Sequence, residues 1–210
     1  EGYFNHNVQS VRELMTLENN GLGKNICVQV LDGILCHNGE FLQDKYCQKK
    51  KSVEEFFKEY EQCYKDQNYI KSLVPMTMEG CIVRISDIIS YIGKDIEDAI
   101  RLGKIKIEDV PKDIVKILGA TNKDIMHTVI CDVIENSYEK DYICMSVDVY
   151  NAIKRLKQFN YENIYKKALS QKQRKELKKK FRYLYDTYYK ALINNDKDFA
   201  ICYDFYDKMN

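Results

Sequence analysis

The sequence predicts an all-α protein. Three observations carry that expectation: apolar residues recur mostly at helical rather than alternating spacing, the 210 residues include only two prolines and nine glycines, and no hairpin signal stands between alternating runs. Asn38-Gly39 is the dipeptide of a tight hairpin, but its neighbours have helical spacing. A hydrophobic content of 45% with 31% charged residues is ordinary for a globular protein with a sizeable core. The net charge of +1 gives no global case for nucleic acid or membrane, and no apolar run approaches the length of a bilayer span. The eight cysteines contain no C-x-x-C pair, so a structural zinc site is not expected; a reducing cytosol is.

In chain order, Phe4 to Asn20 reads as a first helix with His6 in its opening turn, stopped by Gly21-Leu-Gly23. Ile26 to His37 reads as a second, with Gly39 as a left-handed residue after its end. Residues 40–51 are polar and lysine-rich and read as a loop. Ser52-Val-Glu-Glu55 is a capping box that opens a helix carrying Phe56, Phe57, Tyr60 and Tyr64. Pro75 separates this region from a central helix over 82–100, with Thr77 as its cap. Pro111 starts a short helix through Leu118, Thr121 starts one to about Asn136, and Ser146 starts one to about Phe159. Ser170 to about Asn194 is a further helix, and Lys197 to the chain end another.

The central helix has two faces. Ile85, Ile88, Ile89, Ile92, Ile96 and Ile100 gather on one side, at about 100° per residue. Asp87, Tyr91 and Asp98 fall within about 40° of one another on the other side, and Asp95 about 80° round from Asp87. From pattern alone such a face is a solvated stripe. Tyr91 among the acids, on a helix apolar enough to be central, is the feature that points to a site instead. The chain has no His-x-x-x-His, no phosphate-binding glycine loop and no nucleophile motif. The basic run 172–182 and the tyrosines after it suggest polynucleotide. However, Leu177, Phe181, Leu184, Tyr188 and Leu192 form a stripe expected to pack on neighbouring helices.

Four segments, in order, resemble the HD-domain deoxynucleoside triphosphate triphosphohydrolases, the dGTPase-like enzymes. They are Phe4-Asn-His6-Asn-Val-Gln-Ser10, Leu31-Asp-Gly-Ile-Leu-Cys-His37, Pro75-Met-Thr-Met-Glu-Gly80, and Ile82-Val-Arg-Ile-Ser-Asp87 followed by Tyr91-Ile-Gly-Lys-Asp95. The resemblance implies an HD-domain-like helical bundle, with residues 1–108 as the C-terminal part of that domain and 109–210 as a helical extension. It implies that Asp87 is a metal ligand, that Tyr91 and Asp95 contact substrate, and that His6 stands close to the substrate phosphates as the catalytic histidine. The family's first metal-binding histidine and its His-Asp pair precede the His6 motif, so they are expected upstream of Glu1. This chain then supplies one ligand of four and is expected to be inactive alone. The implied cofactor is a divalent metal, Mg, Mn or another transition metal. The implied reaction converts a deoxynucleoside triphosphate to deoxynucleoside and inorganic triphosphate, in a cytoplasmic homo-oligomer. Lys94 and Ile88 depart from the family pattern, where histidine and a phosphate-binding lysine often stand. The rival readings are an HD phosphohydrolase for another nucleotide and a non-catalytic helical module that binds nucleic acid through 172–182.

Overall fold

A computed structural model describes residues 3–38, 42–199 and 201. The described chain is all-α apart from one two-residue strand pair. Helix α1 (His6–Arg12) continues through a π-helical turn over Glu13–Leu17 and stops before Asn20. Asn19, Asn20 and Gly21 all take left-handed backbone angles there. Gly23 has φ +69°, and a Cβ on it would lie 2.1 Å from the Met15 carbonyl oxygen, so the returning chain needs glycine at that point. Helix α2 (Val28–Cys36) is shorter at each end than its apolar run suggests. Gly39, expected after its end, lies outside the described residues.

The stretch expected to be a loop contains strand β1 (Lys45–Tyr46). It pairs antiparallel with β2 (Ile143–Cys144), Lys45 opposite Cys144 and Tyr46 opposite Ile143. Two residues are too few for an alternation signal, so the pairing was not legible. Helix α3 (Val53–Lys65) starts with the expected box: Ser52 Oγ accepts from Glu55 N at 3.2 Å, and Glu55 accepts from Ser52 N at 2.8 Å. Helix α4 (Met78–Arg101) is capped by Thr77, whose Oγ1 accepts from Gly80 N at 3.1 Å. Helices α5 (Lys112–Leu118), α6 (Asn122–Ser137) and α7 (Val147–Asn160) follow the expected starts. Helix α7 runs into a π-helical turn over Tyr161–Tyr165, and α8 (Gln171–Ile193) ends the helical part. Of the helix expected from Lys197, residues 197–199 form a turn and bend, and the rest lies outside the described residues apart from 201.

Two apolar clusters hold these elements. Val8, Leu31, Leu35, Phe56 and Leu73 join α1, α2 and α3. Ile85, Ile88, Ile89, Ile92 and Ile96 of α4 pack with Ile114, Leu118, Ile125, Val129, Ile153 and Leu156 of α5, α6 and α7, whereas Ile100, expected on the same face, is exposed near the helix end. Helix α8 corrects an expectation. Its stripe is largely uncovered by the described chain: Phe181 is 70% exposed, Leu184 50%, Tyr188 meets the Phe199 ring edge to face, and among the described residues of α8 only Ala191 is buried. The described cysteines are free, and among the described residues no helix is long and apolar enough to cross a membrane.

Between α2, α3 and the entry to α4 lies a buried ion cluster. Lys51 Nζ donates to Asp32 Oδ1 at 2.7 Å and to Glu59 at 2.6 Å, while Asp32 Oδ2 accepts from Met76 N at 2.6 Å. The Lys51 and Asp32 side chains are almost wholly removed from solvent. Burial alone would lower the Lys51 pKa; Cys36, Asp32 and Glu59 outweigh it and raise the value, so the ammonium stays charged. Removing one partner strands a buried charge, so Asp32→Ala is expected to cost about 3–5 kcal/mol in urea unfolding. A loss below about 1 kcal/mol, the level of an exposed pair, would refute the role given to this cluster.

Candidate active site

All four residues singled out from the sequence line one cleft of about 580 Å3. This volume lies in the range of roughly 300–1,000 Å3 typical of small-molecule sites. His6 comes from the first turn of α1; Asp87, Tyr91 and Asp95 come from successive turns of α4. Positions i, i+4 and i+8 drift about 40° per step, so this row swings about 80° round the helix as it climbs. The swing carries Asp95 to the edge of the buried isoleucine arc. Its pKa accordingly rises above the ordinary aspartate value: burial is the main cause, the Tyr165 hydroxyl bonded to it opposes the rise, and Asp98 adds to it. Asp98, expected on the same face, does not line the cleft. It sits near the end of α4, where Lys94 Nζ lies 3.4 Å from Asp98 and 3.2 Å from Glu97.

The departures from the family pattern now have positions. Ile88 is 1% exposed and belongs to the core, and Lys94 is engaged with acids of its own helix. The cation that lines the cleft is Lys157 of α7, whose Nζ donates to the Tyr91 hydroxyl at 3.1 Å and lies 5.7 Å from the Tyr91 ring centroid. Lys157, Asn160 and Tyr161 share one stretch of α7 and its end, and with Tyr165 they form the wall facing α4. Sequence reasoning did not find them. Their i, i+3, i+4 spacing is that of any half-exposed helix face, and only packing turns it towards α4.

His37 closes the second of the resembling segments, but the sequence gives it no role. Its Nε2 lies 3.2 Å from His6 Nε2, with the rings edge to face at 5.0 Å between centroids. Its Nδ1 is 2.6 Å from the Ile34 carbonyl oxygen. A carbonyl only accepts, so His37 Nδ1 carries a proton, and the contact between the two Nε2 atoms requires one proton between them. His37 thus orients the His6 ring at the mouth of the cleft. Among the described residues no three His, Cys, Asp or Glu side chains converge as a metal shell would. Asp87 is a single carboxylate, so these residues do not by themselves fit a metal centre.

Comparison with known proteins matches proteins named deoxyguanosinetriphosphate triphosphohydrolase-like. One from Caldanaerobacter subterraneus subsp. tengcongensis is 31% identical over 208 residues, covering 99% of this chain and 52% of the relative. One from Clostridium perfringens is 33% identical over 196 residues (89% and 49%), and one from Clostridium tetani 32% over 199 residues (92% and 49%). The chain is a homologue of the deoxyguanosinetriphosphate triphosphohydrolase-like proteins. It spans about half the length of these relatives. No family model and no solved structure matches. The homology extends beyond the segments that first suggested it, through α5–α7 and into α8, so the wall bearing Lys157 and Asn160 is part of the shared region.

The electrostatics of Asp95 give a test that needs no activity. A carboxyl whose folded pKa is raised contributes fully to stability below the ordinary aspartate value and loses that contribution as pH rises through the folded value. Asp95→Asn, neutral throughout, should therefore flatten the fall of stability above about pH 4 in urea titrations. Tyr165→Phe removes the bond that opposes the shift and should raise the Asp95 pKa further, read from its carboxyl 13C titration. A fall in that pKa would contradict the assignment.

Proposed function

We propose that this chain forms the nucleotide-holding part of a metal-dependent dNTP triphosphohydrolase. The observation that carries the reading is the meeting of His6, Asp87, Tyr91 and Asp95 with Lys157 in one cleft. The names of the homologues support the same substrate class. A triphosphate needs positive charge at one end of its site and hydrogen-bond acceptors for its sugar at the other. Lys157 and His6 supply the first, and Asp95 supplies the second. Tyr91 accepts from Lys157 and holds that ammonium across the cleft.

In the proposed reaction water adds to the α-phosphorus, and the bond from that phosphorus to the sugar 5′ oxygen breaks. The 5′ oxygen takes a proton and leaves as deoxynucleoside, and the water oxygen stays with inorganic triphosphate. His6 donates that proton or steadies the phosphate charge, Lys157 balances charge on the phosphates, and Tyr91 closes against the sugar-phosphate. The divalent metal implied by the resemblance needs ligands beyond Asp87. The steps carried by this chain are therefore binding, charge balance and proton transfer.

Exposed α8 supports a further part of the reading, a homo-oligomer in which its apolar stripe pairs with another copy. The same exposure favours one rival, a nucleic-acid interface, because Lys178, Lys179, Lys180 and Arg182 adjoin exposed Tyr183 and Tyr185. Sedimentation that reports a monomer, with single-stranded DNA binding that weakens steeply with salt, would favour the rival.

The direct test uses the full-length gene product with dGTP and a divalent cation. Release of triphosphate, separated by ion exchange, is expected. Asp87→Ala should abolish it, and Lys157→Met should lower kcat by about 10²–10³-fold, the usual effect of losing a charge-stabilising donor. Release of phosphate or pyrophosphate instead, or no turnover of any dNTP, would overturn the reading.

A further inference from the structure

Asn160 ends α7 on the wall of the cleft and is only 2% exposed. Its Nδ2 donates to the Ile92 carbonyl oxygen of α4 at 3.1 Å. That bond fixes the amide, because the flipped orientation would set two acceptor oxygens against each other. Among the described residues no donor reaches Oδ1, which is left as an enclosed acceptor. A buried carbonyl oxygen without a donor is costly, and native proteins retain one where a ligand or water completes it. Other described side chains also bury an unmet polar atom, among them Asn7, Arg84 and Asn122, but of the described residues with such an atom only Asn160 lines this cleft.

Its position selects the partner. Ile92, to which Asn160 is tied, stands in the α4 sequence between Tyr91, assigned to the sugar-phosphate, and Asp95, assigned to the sugar end of the cleft. Tyr161 and Tyr165, which also line the cleft beside Asn160, are about half exposed and have room to shift when a ligand seats. An oxygen acceptor in that position suits a neutral O–H donor rather than a phosphate oxygen, which would repel it. We propose that Asn160 Oδ1 accepts a hydrogen bond from the 3′-hydroxyl of the bound deoxynucleotide and so makes Asn160 a specificity-determining residue. The inference rests on the nucleotide reading of the cleft and deepens it. Asp95 alone would recognise a hydroxyl through a part-buried carboxyl already bonded to Tyr165, whereas Asn160 adds an acceptor that water does not readily satisfy.

The experiment compares two ligands on two proteins. The ligands are a dGTP analogue whose 5′ oxygen is replaced by methylene, so that the bond to be broken is absent, and the same analogue without its 3′-hydroxyl. Binding to the full-length protein is measured by calorimetry for the natural sequence and for Asn160→Leu, which keeps the volume and removes the acceptor. The natural protein should prefer the hydroxylated ligand by about tenfold or more, the cost of leaving a buried acceptor unpaired. Asn160→Leu should reduce that preference to about threefold or less, mainly by weakening the hydroxylated ligand. The preference is a ratio within one protein, so partial loss of folded material does not alter it; Asn160→Ala gives the same readout if the leucine variant does not fold. An equal preference in both proteins would overturn the proposal and assign Oδ1 a structural water only, while leaving the nucleotide reading intact. Binding of neither ligand by the natural protein would overturn both.

Discussion

Burial of one face of α4 is the constraint on which the rest of this structure depends. The helix is 24 residues long, about 36 Å, and its buried positions from Cys81 to Ala99 span roughly half its circumference. No single neighbour covers so wide an arc. Helix α2 covers the N-terminal part, α6 and α7 the remainder, and the strand pair and π-helical turn close the gaps. Each fully buried isoleucine contributes on the order of 1.5–3 kcal/mol relative to exposure. The row Asp87–Tyr91–Asp95 begins outside that arc and climbs into its edge. The cleft is the space where the covering helices stop and this row continues.

The same geometry explains how the cleft mixes its chemistry. A helix packed on several sides brings side chains from distant parts of the chain to its uncovered strip. His6 comes from α1, held over the strip by His37 at the end of α2. Helix α2 is in turn anchored by Asp32 in the buried cluster with Lys51 and Met76 N. Lys157 and Asn160 come from α7. The result is a cation next to a tyrosine, carboxylates of graded exposure and an enclosed amide oxygen along one cleft. This grading suits a ligand that is anionic at one end and bears a hydroxyl at the other.

Helix α8 follows different physics. About 35 Å of helix presents lysines on one part of its surface and aromatics on others, with almost none of it buried by the described chain. Its internal stability comes from the Ser170 capping box and from same-helix contacts such as the stacked Tyr185 and Tyr189 rings. An isolated helix of such composition is marginal in water. A covering surface, from another copy or another partner, would add the burial it lacks here.

The sequence by itself determined the helical class, the capped starts at Ser52, Thr77, Thr121, Ser146 and Ser170, and the α4 row with His6. These are local facts: caps need residues three apart, amphipathic faces need a period, and a motif needs only its own order. Some local readings still failed. The first helix reads too long in sequence because Gly21 is its first clear stop signal, whereas the left-handed turn already begins at Asn19, and the close approach to the Met15 carbonyl at Gly23 is a property of the folded chain. Asp98 was grouped with Asp87 by angle alone, although about 16 Å of rise separates them. Only the tertiary structure decided that His37 meets His6, that Lys157 rather than Lys94 lines the cleft, that no described donor reaches the Asn160 acceptor, and that the described chain leaves the α8 stripe largely uncovered. Each of these depends on which helix faces which across tens of residues, and a period along one helix carries no information about its neighbour.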